Sequence, residues 1–146
     1  MSSTDPEVLA RLLRSRAAGA PLRIEVSGGS MGRTIVSGSA VWIVAQEQPR
    51  WGEVWAFGGP GGTIAVHRCS WSRRGHTRFW GDGNPTPDPP TPDAQLIGKV
   101  IRIEAPDGTT TGLGPVDRFG RSTLLWLWRL PRRARGRVRR LLARRL

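Results

Sequence analysis

Short apolar runs separated by turn residues constrain this chain more than any other feature. Residues 22–26, 40–45, 53–57, 63–69, 77–80 and 96–103 each read as a strand, and the first alternates apolar and polar side chains as a half-buried strand does. Nineteen Gly and twelve Pro punctuate the chain, and both residues oppose helix in element interiors. The pattern predicts a mainly β fold, built as a small antiparallel sheet or barrel. A length of 146 residues provides for one domain with a single core.

Two helices are expected outside this pattern. At the front, Thr4 or Asp5 can cap a helix that opens with Pro6 and Glu7, carries Val8, Leu9, Leu12 and Leu13 at helical spacing, and ends near Gly19. At the back, a helix starting near Pro131 would set Ala134, Val138, Leu141, Leu142 and Leu146 on one face and arginines on the rest. The predicted organisation is an N-terminal helix over 1–20, a β domain over 21–104, a turn-rich connection over 105–121, and an apolar, then arginine-rich, tail over 122–146. Within the β domain, the proline-rich residues 84–93 read as an extended surface loop.

The net charge is +12, from 23 Lys+Arg against 11 Asp+Glu. Much of that excess is local: Arg129, Arg132, Arg133, Arg135, Arg137, Arg139, Arg140, Arg144 and Arg145 follow one another with no acid among them, so the body is only mildly basic. A basic amphipathic segment beside Trp126 and Trp128 suits an anionic membrane surface, where each arginine contributes about 1 kcal/mol. Nucleic acid is the weaker expectation, because no recognised reading motif accompanies the arginines, and a solvated charged face is the plain alternative. Residues 1–6 lack the pattern of a secretory signal, and the apolar stretch 124–130 is far below the roughly 20 residues of a spanning helix. Cys69 stands alone, so an intrachain disulfide is excluded. These features predict a cytoplasmic protein, peripheral at the membrane surface where the tail meets lipid.

Chemistry can be sought at Ser30. The sequence Ser27-Gly28-Gly29-Ser30-Met31 follows the first predicted strand and puts Ser30 on a tight turn at its end. A serine hydroxyl is a poor nucleophile at neutral pH unless a base within hydrogen-bond reach takes its proton. Two histidines are available. His67 lies in a predicted strand and His76 in a polar turn, and the need for a rigidly held base favours His67. Taken alone, a serine in a glycine turn is usually only a turn residue. Two histidines and one cysteine lack metal-ligand spacing, so no metal and no other cofactor is implied.

The order and company of these residues resemble the type I signal peptidases and their relatives, which include the LexA-like self-cleaving repressors. Val26-Ser27-Gly28-Gly29-Ser30-Met31 followed by Thr34-Ile35 is similar to the nucleophile box of that family, and Gly52-Glu53-Val54-Trp55-Ala56-Phe57 to the strand after it. Ala65-Val66-His67-Arg68 resembles the second catalytic box of the endoplasmic-reticulum and archaeal branch, in which histidine replaces the bacterial lysine. Trp80-Gly81-Asp82-Gly83-Asn84, Asp88 and Leu96-Ile97-Gly98-Lys99-Val100 follow in the family's order, so that the resemblance covers about residues 22–103. It implies a signal-peptidase-like β fold and a serine endopeptidase acting on a peptide or preprotein, with Ser30 as nucleophile, His67 as base, and Gly28, Gly29 and Met31 against the substrate. By the same likeness Asp88 falls on the position that accepts the second imidazole N–H, and Asp82 on one that more often braces the turn. Either aspartate can complete the catalytic set. Lys99 is the only lysine and lies outside the second box, which agrees with the histidine branch.

The chain also departs from that pattern. Gly28 stands where many relatives supply a serine hydroxyl to the oxyanion, Arg33 where proline is usual, Ser39 where aspartate is frequent, and no membrane anchor is read ahead of Ser30. These departures fit an inactive binding module on a peptidase fold as the alternative. A cysteine peptidase using Cys69 is a further, weaker one, since a lone cysteine is usually small core filling.

Overall fold

The computed structural model describes residues 4–113, and the expected C-terminal helix and basic tail lie outside them. Helix α1 spans Pro6–Gly19 and starts as the sequence predicts, with the Asp5 carboxylate accepting the Glu7 N–H at 2.9 Å. Its buried stripe differs from the expected one. Val8 and Leu12 are 47% and 60% exposed, whereas Ala10 and Ala17 are buried and Leu13 packs against the core. The cause lies in Arg14, whose Nε donates to the Leu96 carbonyl at 2.7 Å and whose Nη2 donates to the Asp93 carbonyl at 2.8 Å. These bonds draw the helix onto the sheet along the alanine side, where small side chains permit close approach.

Eight strands follow: β1 (Leu22–Glu25), β2 (Ala40–Val44), β3 (Val54–Gly59), β4 (Thr63–Arg73), β5 (His76–Trp80), β6 (Thr91–Pro92), β7 (Leu96–Glu104) and β8 (Thr110–Gly112). They form one curled antiparallel sheet in the order β1-β2-β7-β3-β4-β5-β6, with β8 added to β7. Among the described residues the fold is mainly β with one α-helix, and all six predicted runs are strands. Two short strands were not visible as apolar runs. β6 falls in the proline-rich segment read as a surface loop, with Thr91 buried and opposite Thr77, and β8 falls in the predicted connection, opposite residues 102–104. His76, expected in a turn, opens β5.

Every residue of β3 is buried because the curled sheet is covered on both faces. Val54 and Ala56 join the core under α1 with Val41, Ile43, Ile97 and Val100. The alternate residues Trp55 and Phe57 join a second cluster with Cys69, Phe79 and Leu96, as the two-residue period of a strand requires. β4 links the two regions. It pairs with β3 over Thr63–Arg68 and with β5 over Arg68–Arg73, so among the described residues its 63–67 half has no strand on its second edge.

Candidate active site

The 63–67 half of β4 and the end of β1 enclose a cleft of about 330 Å³ lined by Ser30 and His67, with Gly28, Met31, Ile35 and Val66 among the other walls. His67 lines it at the end of the run Ile64–His67, all four of which face the cleft, and β4 holds the imidazole in place: the residue is 8% exposed and its ring meets Phe57 edge-on, with centroids 5.8 Å apart. Phe57 in turn stacks on Phe79 at 4.3 Å.

Asp88 comes to His67 from the proline-rich segment. Its carboxylate Oδ2 lies 2.5 Å from the imidazole Nδ1. A backbone bond from the Asp88 N–H to the Phe79 carbonyl at 2.9 Å pins the segment to β5 at that point. This contact leaves Nε2 as the ring nitrogen able to exchange a proton with a group in the cleft.

Asp82 is held differently. Arg68, the neighbour of His67 on β4, places Nε 2.9 Å from Asp82 Oδ1 and Nη2 2.8 Å from Oδ2, and its Nη1 donates to the Gly52 carbonyl at 2.8 Å. Asp82 Oδ2 also accepts the Thr34 hydroxyl at 2.6 Å. One carboxylate therefore ties the strand bearing His67 to the turn bearing Ser30. Sequence reasoning missed Arg68 in this role, for a buried arginine is uncommon; the signal was its place between two acceptors in the boxes around it.

The Ser30 turn is seated on the turn around Asp82. Gly83 N–H donates to the Ser30 carbonyl at 2.9 Å. A Cβ on Gly83 would fall 2.7 Å from the Gly29 carbonyl, and one on Gly81 would collide with the Ser30 carbonyl. Glycine at both positions is thus a condition for the two turns to touch. Among the described residues, no hydrogen bond is made by the Ser30 hydroxyl, and none joins it to His67.

The other expected positions are distributed as follows. Gly28, at φ +89°, and Met31, 3% exposed, line the cleft, whereas Gly29 is not among its walls. The Gly28 N–H donates to Ser37 Oγ at 3.2 Å. Ser39 is buried and its hydroxyl has no partner among the described residues. Arg33 is exposed. Cys69 lies in the second core cluster, where burial, and then the charge of Glu53, pushes its thiol up to about 12. A thiol in that state is core filling, not a nucleophile. No group of three or more His, Cys, Asp or Glu among the described residues could hold a metal ion, and no described helix is long and apolar enough to cross a membrane.

No protein-family model matches this chain, and no curated protein matches it significantly.

Proposed function

We propose that this chain is a serine endopeptidase of the signal-peptidase type, with the curled sheet as its peptidase fold, Ser30 as nucleophile and His67 as general base. The observation that carries this reading is the His67–Asp88 contact at 2.5 Å, made by a histidine that lines the same cleft as Ser30. An imidazole whose Nδ1–H is fixed on a carboxylate presents Nε2 as an acceptor and is stabilised when it becomes imidazolium.

The reaction follows from those roles. A peptide carbonyl entering the cleft is attacked by Ser30 Oγ while His67 Nε2 takes the hydroxyl proton, forming a tetrahedral intermediate. The Ser30 N–H, which makes no hydrogen bond among the described residues, is the donor available to its oxyanion. His67 then protonates the leaving amine, the C–N bond breaks, and an acyl-enzyme remains. Water, deprotonated by His67, releases the acid and restores Ser30. The open edge of β4 at 63–67 supplies backbone groups with which an extended peptide can pair.

The test is mass spectrometry of a mixed peptide library incubated with the full-length protein and, in parallel, with Ser30→Ala. Cleavage by the first and not the second supports the reading; equal traces from both defeat it.

One observation favours a second reading. The Ser30 hydroxyl is not bonded to His67, as would suit a module that binds a peptide without cutting it, although catalytic hydrogen bonds in unliganded sites often tighten only with substrate. A fluorophosphonate that labels wild type but not Ser30→Ala marks an activated serine and rejects the module; absence of labelling together with retained peptide binding favours it.

A further inference from the structure

We propose that Glu25 selects a basic side chain in the peptide that occupies the cleft. This rests on the cleft being a peptide site, and it does not require that the peptide be cut.

The walls of the cleft are mostly apolar or small, with Val26, Met31, Ile35, Ile64 and Val66 among them, and Glu25 is the carboxylate that joins them at the end of β1. In β1, Leu22 and Ile24 turn inward while Arg23 and Glu25 stay exposed, so the Glu25 side chain stands at the rim, 81% exposed. The acids elsewhere around the site are committed to the fold or to His67. Asp82 is held by Arg68 and Thr34, Asp88 by His67, and Glu53 by Trp55 and Lys99.

Glu25 is not committed in this way. Its neighbour Arg23 approaches Oε1 with Nη1 at 3.5 Å, but the same guanidinium already gives Nε and Nη2 to Glu104, both at 3.3 Å. Oε2 of Glu25 has no partner among the described residues. A solvated carboxylate beside an apolar trough attracts a cation without a large desolvation cost, and it repels an acid. In a chain of net charge +12, this places a local negative site where a peptide enters. An extended peptide would lay apolar or small side chains in the trough and carry an arginine or lysine at the one position that passes Glu25. An exposed pair of this kind is expected to change affinity about two- to fivefold.

The experiment measures binding of fluorescent peptides to the full-length Ser30→Ala protein by polarisation. A fixed apolar peptide carries Arg, Gln or Glu at one position scanned along its length. The expected result is a single position at which Arg binds about two- to fivefold tighter than Gln and Glu binds more weakly, with the difference shrinking as salt is raised. Adding Glu25→Gln should abolish the preference, and Glu25→Arg should reverse it towards Glu; the exposure of the side chain keeps both variants folded, which their melting temperatures check. An arginine preference that survives Glu25→Gln, peptides that bind with no charge preference, or no peptide binding at all each overturns the proposal. Cleavage by the wild type judges the catalytic reading separately: charge-selective binding without cleavage removes catalysis and keeps Glu25, whereas cleavage without selectivity does the reverse.

Discussion

Arg68 grips Asp82 with two nitrogens at 2.9 and 2.8 Å, and both side chains are almost wholly out of solvent, at 4% and 5% exposure. Such a pair is worth most as a condition for folding, because losing one member strands the other charge. Arg68→Ala and Asp82→Ala are each expected to cost about 3–5 kcal/mol, read as a fall in the denaturant midpoint. Thr34→Val, which removes one hydrogen bond to the same carboxylate, should cost about 1 kcal/mol. Midpoints unchanged in the two alanine variants would show that the pair does not hold the turns together.

In the proposed mechanism Asp88 acts through the imidazole that it contacts, and it is not among the cleft walls. Asp88→Asn is therefore expected to keep the fold while lowering kcat about 10²–10⁴-fold with little change in KM. The matching Asp82→Asn variant should act first on stability. Turnover by Asp88→Asn at the wild-type rate would take Asp88 out of the proton relay.

Much of this arrangement was legible in the sequence. The six strands were readable because apolar alternation and glycine punctuation both report burial on a sheet. β6 and β8 were not, since Thr91-Pro92 and Thr110-Thr111-Gly112 carry no apolar alternation and exist because longer neighbours offer them free edges. The helix was placed correctly but its face was not: Val8 and Leu12 have the right spacing, yet Arg14 and two alanines decide which side meets β7. The likeness already favoured Asp88 over Asp82 as the partner of the imidazole, but the buried Arg68 that holds Asp82 was not legible. Glu25 was not legible, since an exposed acid on a strand looks like ordinary surface until the cleft beside it is seen.

Cys69 provides a test of the core itself. Its thiol, 0% exposed and pushed up to about 12 by burial and by Glu53, should resist Ellman's reagent in the native protein at mildly alkaline pH and react fully in guanidinium chloride. Cys69→Ala should lose some stability and leave the proposed Ser30-dependent cleavage in place. Rapid native labelling, or cleavage lost with the fold intact, would contradict this placement.

Glu53 links stability to acid. Burial alone would raise its carboxyl, but the Trp55 indole, the Arg50 N–H and Lys99 together outweigh that and hold it below the ordinary carboxylate range. A carboxylate lowered in the folded state contributes stability that is complete above its unfolded pKa and is lost as pH falls through the folded one. Denaturant midpoints measured from neutral pH down into the acid range should thus fall more steeply for wild type than for Glu53→Gln, which starts less stable. Parallel curves for the two proteins would exclude Glu53 as a source of the acid sensitivity.

The division of β4 into a half paired with β3, Thr63–Arg68, and a half paired with β5, Arg68–Arg73, also sets how its backbone meets water. Amides of Arg68–Arg73 that face β5 are locked by a neighbour, while those of 63–67 that point away from β3 exchange with solvent at a rate governed by whatever lies in the cleft. The strand thus carries its own gauge of occupancy: deuterium uptake along β4 distinguishes an empty trough from a filled one without any need for turnover.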